Sequence, residues 1–365
     1  MNEKNTNVSK TYLPDRQRYL SYVNQIFDSG WITNNGRLHQ ELETKLAQYL
    51  GVEHLVLTSN ATIALQIAYE LLDVKKEAIT TPFSFVATTS SLLWKGISPV
   101  FADIERTTLN IDPEQINRNV NSNTDAIVPV HTYGNACDIE AIAFLSQKHG
   151  IPVIYDASHC FGITYKGASI LKQGAISVIS FHATKIFNTV EGGALIMNSK
   201  AMYERAKMLV DNGIKDKETI PVLGANAKMS EFHAAMGLCI LEEIDAIVPP
   251  RKKVHDFYIN RLQQLPGITF PTLHADCNRN YSYFPMLLPS EVVLKNVEEA
   301  MNRSNIYPRR YFYPALNTLP FVKQQQRLPV VEDLATRILC LPLYGGLSRA
   351  KQEEIITIIE RYVTK

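Results

Sequence analysis

The sequence predicts an α/β fold, in which a mostly parallel, mixed sheet in a large domain is followed by a smaller C-terminal α+β domain. Short apolar runs alternate with helical segments up to about residue 240, which is the pattern of consecutive β–α–β units. After residue 240 a long helical stretch gives way to shorter alternating strands and helices. The chain has 365 residues, a length that favours two domains over one.

Local patterns define the individual elements. A helix over residues 38–50 is indicated by apolar side chains at helical spacing and by a glycine at its end, namely Leu38, Leu42, Leu46, Tyr49 and Gly51. The run HLVLTS (54–59) predicts a strand, and ATIALQIAYELL (61–72) predicts the helix after it. The same order recurs up to the run IPVIYD, and a later run, NYSYFPMLL, predicts a strand of the second domain. Residues 1–10 are expected to be loose.

The residues near the predicted strand ends mark the expected ligand site. They are Thr58, Pro82, Asp103, His131, Asp156 and Ser180. Ligands of parallel sheets bind outside the carboxyl ends of the strands, so these residues are expected to crowd one face. The domain boundary is predicted near Pro249, which gives a large domain over residues 1–248 and a small domain over residues 249–365.

Composition narrows the possible partners. The formal net charge is +1 (37 Lys and Arg against 36 Asp and Glu), which gives no support for nucleic acid or an acidic membrane surface as a partner. No apolar run approaches the roughly 20 residues of a membrane span, and the polar N-terminus does not indicate a signal peptide. The five cysteines are scattered without a CxxC pair, which predicts reduced thiols and a cytoplasmic location. The histidine spacing predicts no metal site.

Residues 177–197 are the most informative stretch of the chain. The apolar strand SVISF leads into a polar loop that carries one lysine, Lys185, and then the pair Gly192–Gly193. The preceding run IPVIYDASHC ends its strand at Asp156. A lysine and an aspartate at neighbouring strand ends are what a pyridoxal phosphate (PLP) enzyme requires, because the lysine bonds to the cofactor and the aspartate keeps the pyridine nitrogen protonated. A solvated lysine and a helix-capping aspartate are the alternative interpretations.

Other residues could complete such a site. The turn in SNATIAL places the amides of Ala61 and Thr62 at a helix N-terminus, a position that binds phosphate, and Ser180 adds a hydroxyl group. Phe85 could stack on the pyridine ring, and His159 could reach the phenolic oxygen of that ring. Core packing is the alternative role for Phe85, and a purely structural role is the alternative for His159.

Together these motifs resemble the fold type I, aspartate-aminotransferase-like PLP enzymes, and more closely the DegT/StrS family of nucleotide-sugar aminotransferases. The resemblance covers nearly the whole chain, through GWITNNG, SNATIAL, PFSFVATT, YDASHCFG, SFHATK, EGGA, LGANAKMSEFHAAMG and RRYFYPALN. It implies a cytoplasmic aminotransferase that moves an amino group from L-glutamate to a nucleotide-linked keto sugar, in surface-polysaccharide (O-antigen, lipopolysaccharide) biosynthesis. The HATK and EGG segments resemble members that aminate carbon 4 of the sugar.

The resemblance also implies roles for single residues. The catalytic residue is Lys185, and the cofactor-binding residues are Ala61, Thr62, Phe85, Asp156, His159, Ser180, Lys185 and Asn226. Asn226 matches an asparagine that the partner subunit of a homodimer sends to the cofactor phosphate. Arg309 and Tyr313 are candidates for the sugar or diphosphate end of the substrate, with packing between domains as their alternative role. Lys228 and Asn317 depart from the family, which more often has Arg and His there.

Several alternatives remain at this point. A family member specific for carbon 3 of the sugar and a non-catalytic nucleotide-sugar-binding regulator on the same fold both share the overall pattern. A PLP-dependent sugar dehydratase is disfavoured, because the related dehydratases replace the lysine by histidine and this chain retains Lys185. A lysine-dependent aldolase without a cofactor would not need an aspartate beside an anion site.

Overall fold

The structure is a computed structural model that describes residues 5–33, 35–323 and 326–364. Its helices are α1 (Arg16–Ser29), α2 (Arg37–Leu50), α3 (Ala61–Leu71), α4 (Val86–Trp94), α5 (Pro113–Asn119), α6 (Ile139–His149), α7 (Lys200–Val210), α8 (Glu231–Leu262), α9 (Glu291–Arg303), α10 (Pro329–Arg337) and α11 (Arg349–Val363). Its strands are β1 (Thr6–Asn7), β2 (His54–Thr58), β3 (Glu77–Thr80), β4 (Ser98–Phe101), β5 (Thr124–Val128), β6 (Ile154–Asp156), β7 (Thr164–Tyr165), β8 (Ala168–Ser169), β9 (Ile176–Ser180), β10 (Gly193–Met197), β11 (Pro285–Leu287), β12 (Ile306–Tyr307) and β13 (Ile338–Cys340).

The central sheet is mostly parallel. Strands β2, β10, β9 and β6 pair in that order, and β4, β3 and β5 form a second set. Isolated parallel bridges from Ile127 to Val153 and from Val130 to Asp156 join β5 to β6, so the two sets form one continuous surface. Only β10 runs antiparallel to its neighbours among these seven strands. The predicted α/β fold with a mostly parallel, mixed sheet is confirmed.

Both faces of this sheet are covered. Along β2, Leu55 and Leu57 belong to one hydrophobic cluster and Val56 to another, because successive side chains of a strand point to opposite faces. Helix α2 covers one face with Leu38, Leu42, Leu46 and Leu50, and Gly51 ends it in the left-handed conformation with φ 64°. Tyr49 was expected on the buried face of this helix but is 43% exposed, because Leu50 takes that position.

The carboxyl ends of the parallel strands lie at one edge of the sheet, as expected. The residues at this edge differ in what they do. Asp156 ends β6 and Ser180 ends β9, and both face a cavity. Asp103 instead accepts hydrogen bonds from the amides of Val330 and Val331, at 2.9 Å each, and so holds the start of α10. The edge therefore carries both the candidate site and contacts to the C-terminal part of the chain.

Two features cross the predicted domain boundary at residues 248 and 249. Helix α8 continues through Pro249 and Pro250 to Leu262. Strand β1, inside the segment that was expected to be loose, pairs in parallel with β12, so residues 6 and 7 are ordered against the C-terminal part. Residues 1–4 lie outside the described residues. One hydrophobic cluster contains only buried residues between Val254 and Ile359. The two-domain division itself stays a prediction.

No helix within the described ranges combines the length and the apolar character that crossing a membrane requires.

Removing the Asp103 carboxylate should destabilise the protein. In Asp103→Ala the partly buried amide of Val330 and the buried amide of Val331 lose their acceptor, which should cost about 1–3 kcal/mol. Urea unfolding followed by circular dichroism should show a lower midpoint. The exposed Asp28→Ala serves as the control. An unchanged midpoint in Asp103→Ala would contradict the capping role.

Candidate active site

A cavity of about 230 Å³ lies at the carboxyl edge of the sheet. It is lined by seven of the ten residues that the sequence singled out, namely Ala61, Thr62, Phe85, Asp156, His159, Ser180 and Lys185. The other three, Asn226, Arg309 and Tyr313, are not among its lining residues. Seven predicted residues that are spread between positions 61 and 185 of the sequence therefore line one cavity.

Lys185 lies in the loop between β9 and β10, half-buried in the cavity wall. Its Nζ donates a hydrogen bond to the hydroxyl of Tyr283, at 3.1 Å. Burial lowers the pKa of the Lys185 amine from 10.5 to about 8, although the nearby Asp156 carboxylate raises it. Desolvation is thus the stronger effect, and the amine is neutral more often than an ordinary lysine.

Asp156 is buried, with 5% of its surface exposed. One carboxylate oxygen accepts a hydrogen bond from the hydroxyl of Thr88 at 2.7 Å, and the other accepts from the amide of Ser158 at 3.1 Å. These two donors fix the orientation of the carboxylate within the cavity wall. An ionised carboxylate retains further lone pairs, so it can still accept a proton donor from a ligand.

His159 is held as a neutral ring. Its Nδ1 accepts a hydrogen bond from the amide of Tyr133 at 3.1 Å, so the ring proton sits on Nε2. Burial lowers the pKa of His159 well below 6.5, and Lys185 lowers it further. The ring stacks on Phe312 with 5.8 Å between centroids. The Nε2–H group is therefore available as a donor.

The start of α3 lines the cavity with Ala61 and Thr62, and its first amides are donors of the kind that bind anions. The Asn60 side chain accepts from the amide of Ile63 at 2.9 Å, which leaves the amides of Ala61 and Thr62 ahead of the first intrahelical bond. A Cβ on Gly193 would lie 2.7 Å from the Ala61 nitrogen. Only glycine at position 193 lets β10 pass this close to the helix start, so the free amides remain open.

Phe85 also lines the cavity. It precedes α4 as its N-cap residue and is 58% exposed. The alternative of core packing is therefore wrong for Phe85, because a core phenylalanine would be buried. Its exposed ring lies where it can shield a ligand in the cavity from solvent.

A second cavity of about 440 Å³ adjoins the first. Both cavities share the wall residues Ser84, Phe85, Tyr311 and Phe312. Arg309 and Tyr313 line the second cavity, where the Arg310 guanidinium stacks on the Tyr313 ring with Cζ 3.5 Å from the centroid. Arg309, Arg310 and Glu298 line this neighbouring space, and Arg310 also forms an ion pair with Glu291 at 3.4 Å.

The two positions that depart from the family are engaged elsewhere. Lys228 forms an ion pair with Asp211 at 2.8 Å. Asn317 is buried and donates to the carbonyl of Gln326 and to the carboxylate of Glu332, both at 2.9 Å. Asn317 therefore ties together segments near α10 and does not reach either cavity. Asn226 is exposed on the surface of this chain.

Sequence reasoning missed several cavity residues, namely Thr88, Ser158, Tyr283, Tyr311 and Phe312. Thr88 lies in PFSFVATT, and Tyr311 and Phe312 lie in RRYFYP. The sequence analysis identified these motifs but did not assign these three residues to the site. Tyr283 had no such signal. The strand predicted over NYSYFPMLL is wrong in its extent, since β11 spans only Pro285–Leu287 and Tyr283 precedes it in an irregular segment.

The fold and the cavity together define a class of protein. A mostly parallel α/β sheet that brings a half-buried lysine and an oriented aspartate to one edge is the arrangement of a PLP-dependent aminotransferase. The sequence model of the DegT/DnrJ/EryC1/StrS aminotransferase family matches residues 15–360, and the chain belongs to this family. The protein is accordingly a PLP-dependent transaminase, as the sequence predicted.

Relatives and solved structures agree with this class. The chain is 42% identical to a dTDP-4-amino-4,6-dideoxy-D-glucose transaminase of Shigella dysenteriae, over 98% of this chain and 99% of that protein. It is 38% identical to a transaminase of the same name from Escherichia coli, over 99% of this chain and 98% of that protein. The crystal structure of DesI in the presence of its TDP-sugar product superposes with a TM-score of 0.94 at 31% identity, covering 100% of this chain and 94% of that chain.

The groups in the cavity fit PLP. A primary amine, a buried carboxylate, free amides at a helix start and an aromatic face surround one space. The Gly193 contact shows that the space beside the Ala61 amide is kept free of side chains. The donors match a phosphate, and the amine and carboxylate match an aldehyde-bearing cationic ring.

Because its pKa is lowered, the Lys185 amine should react with an acylating reagent at a lower pH than an ordinary lysine does. In the cofactor-free protein, trace labelling with acetic anhydride from about pH 6 to about pH 11 should modify Lys185 with a midpoint near pH 8, because only the neutral amine reacts. Peptide mass spectrometry gives the labelled fraction, and the exposed Lys253 provides the internal reference. A Lys185 midpoint near 10.5 would show that the amine is solvated.

Proposed function

We propose that this enzyme transfers an amino group from L-glutamate to carbon 4 of a nucleotide-linked 4-keto-6-deoxy sugar. The acceptor would be dTDP-4-keto-6-deoxy-D-glucose and the product dTDP-4-amino-4,6-dideoxy-D-glucose. The observation that carries the proposal is the cavity with Lys185 and Asp156 opening beside a larger, arginine-lined cavity. The names of the relatives at 42% and 38% identity support the sugar, and the TDP-sugar of the DesI structure supports the nucleotide.

Lys185 would be the catalytic residue. Bound PLP supplies an aldehyde that bonds to amines and a pyridine ring that accepts electrons. The lowered pKa of the Lys185 amine lets it take a proton from the donor amino acid and return it near neutral pH, acting as base and then as acid. Its contact with Tyr283 keeps the amine inside the cavity.

Asp156 and His159 would tune the ring. The Asp156 carboxylate, oriented by Thr88 and Ser158, would accept a hydrogen bond from a protonated ring nitrogen. The Nε2–H of His159 would donate to an oxygen on the ring. Phe85 would cover one face of the ring, since it is exposed at the cavity wall.

The phosphate would bind at the start of α3. The free amides of Ala61 and Thr62 and the hydroxyls of Thr62 and Ser180 supply donors at the positive end of a helix. In a homodimer, Asn226 of each chain would add a donor to the phosphate in the other chain. The exposure of Asn226 outside its own cavity supports this arrangement.

The second cavity would receive the nucleotide end of the sugar substrate. Arg309 lines it and is exposed, and a guanidinium suits bidentate contacts to a diphosphate. Tyr313 lies beside it, with its ring already stacked on Arg310. An enzyme of this kind would act in the cytoplasm, where it would supply amino sugars for surface polysaccharides such as O-antigen lipopolysaccharide.

A panel of nucleotide keto sugars tests the activity directly. The holoenzyme with glutamate should convert dTDP-4-keto-6-deoxy-D-glucose, and mass spectrometry with NMR should place the new amine on carbon 4. Lys185→Ala should lose turnover by at least about a thousandfold while still binding cofactor, since the proton-transferring group is gone.

The outcomes separate the alternatives. An amine on carbon 3 would support the carbon-3 alternative and overturn the proposed regiochemistry. Binding of nucleotide sugars without turnover would indicate a regulator. Normal turnover in Lys185→Ala would remove Lys185 from its catalytic role.

Shared sites predict complementation between chains. Asn226→Ala should weaken PLP binding about ten- to a hundredfold in equilibrium dialysis, because a donor to the phosphate is lost. The exposed Asn123→Ala should bind normally. Mixing Asn226→Ala chains with Lys185→Ala chains creates one intact site per hybrid dimer. Activity at limiting cofactor should then exceed the sum of the separate variants, and a merely additive activity would contradict sharing.

A further inference from the structure

Tyr283 is the polar side chain in contact with the Lys185 amine. Its hydroxyl accepts the hydrogen bond from Lys185 Nζ at 3.1 Å, and Nζ lies 5.8 Å from the centroid of the same ring. The two residues are 98 positions apart and come from opposite sides of the predicted domain boundary. We infer that Tyr283 is a positioning residue, which holds the Lys185 amine in place while that amine gains and loses its proton.

The segment that carries Tyr283 is pinned from two sides. The buried guanidinium of Arg251 donates to the carbonyls of Tyr281 at 2.9 Å and Ser282 at 3.2 Å. Asn280 donates to the carbonyls of His159 and Phe161, at 2.9 and 3.0 Å. Helix α8 and the loop after β6 therefore fix the backbone just before Tyr283. Such contacts are suited to a side chain whose position matters.

Asn280 also forms hydrogen bonds within the segment itself. Its side-chain oxygen accepts from both the amide and the hydroxyl of Ser282, at 3.1 and 2.7 Å. Because the nitrogen of the same side-chain amide donates to the carbonyl of His159, the segment is hydrogen-bonded to the cavity wall. The Tyr283 ring further packs edge-on against His159, with 4.9 Å between centroids.

A tyrosine hydroxyl suits both protonation states of the amine. It accepts from an ammonium group and donates to a neutral amine, so a contact persists through a proton-transfer cycle. Burial raises the pKa of Tyr283 above 10, which keeps the hydroxyl protonated. A carboxylate at this position would instead hold the proton on Lys185. The hydroxyl thus restrains the amine without fixing its charge.

The contact still favours the charged amine to some degree, since hydrogen bonds to ionised groups are the stronger ones. Removing the hydroxyl should therefore lower the pKa of Lys185 below its value in the wild-type protein. The other groups that act electrostatically on this amine stay in place, namely Asp156, Cys160, Tyr311 and His159. A change in the Lys185 titration can then be attributed to the single hydroxyl.

Two measurements on Tyr283→Phe test the inference. In the cofactor-free protein, the labelling midpoint of Lys185 should move toward lower pH by about 1, the effect of one hydrogen bond to a charged group. In the holoenzyme, the exchange of the glutamate α-proton in D₂O should slow about five- to tenfold at saturating glutamate, with little change in the glutamate concentration for half-maximal rate. Cofactor retention should be unchanged.

The matched control removes a hydroxyl from the same segment. Tyr281→Phe leaves Lys185 untouched, because the Tyr281 ring faces His255 and Lys252. It should retain the wild-type midpoint and exchange rate. Wild-type values of both in Tyr283→Phe would overturn the positioning role, and so would an equal change in Tyr281→Phe.

The inference depends on the proposed function only through the exchange measurement. If the wild-type enzyme exchanges no glutamate proton, the proposed amino donor is wrong. The labelling midpoint needs neither glutamate nor sugar, so a shifted midpoint in Tyr283→Phe would still support the positioning role. If the wild-type enzyme exchanges the proton normally, then an unshifted midpoint together with an unslowed exchange in Tyr283→Phe would refute the inference while the proposed function stands.

Discussion

The desolvation of one amine is the interaction on which the chemistry of this protein depends. The environment of Lys185 lowers the pKa of its amine to about 8, although Asp156 pulls in the opposite direction. At pH 7 about a tenth of such amines are neutral, against a few in ten thousand at a pKa of 10.5. That factor of about 300 separates a side chain able to act as a base from an ordinary surface lysine.

The sheet makes this environment possible through close approaches that only small residues allow. A Cβ on Gly192 would overlap the Thr189 hydroxyl oxygen, and one on Gly193 would lie 2.7 Å from the amide nitrogen of Ala61. The antiparallel β10 can therefore start directly beside the first turn of α3. This brings the free amides of that turn to the same space as the lysine loop, which ends at this glycine pair.

The sequence allowed prediction of the parts of the site that depend on local pattern. Lys185, Asp156 and the turn before α3 each follow an apolar strand, and parallel strands bring such ends together without further information. Tyr283 could not be found this way. Its contact with Lys185 depends on Arg251 and Asn280, which fix an irregular segment from two distant elements. The spacing of apolar residues in the sequence does not predict a contact of this kind between distant segments.

The same limit applies to the fold. The spacing of apolar residues predicted where the longer helices and strands lie. It did not predict that Leu50 rather than Tyr49 is buried at the end of α2, because this depends on tertiary packing. Strand β1 is too short and too polar to be read from its own sequence, and it forms because β12 offers it a partner. The domain boundary predicted near Pro249 falls inside a helix, because α8 continues through Pro249 and Pro250.

That continuity has a consequence for the site. Arg251 follows the two prolines directly and reaches the backbone before Tyr283, so α8 connects the sheet to the C-terminal wall of the cavity. Tyr283, Tyr311 and Phe312 all come from this C-terminal part, and all line the cavity that holds Lys185. Residues up to 248 supply the amine, the carboxylate and the amide donors at the start of α3, and the residues after 248 supply the remaining wall of the cavity. The lowered pKa of the amine is therefore a property of the whole chain rather than of the segment that carries the lysine.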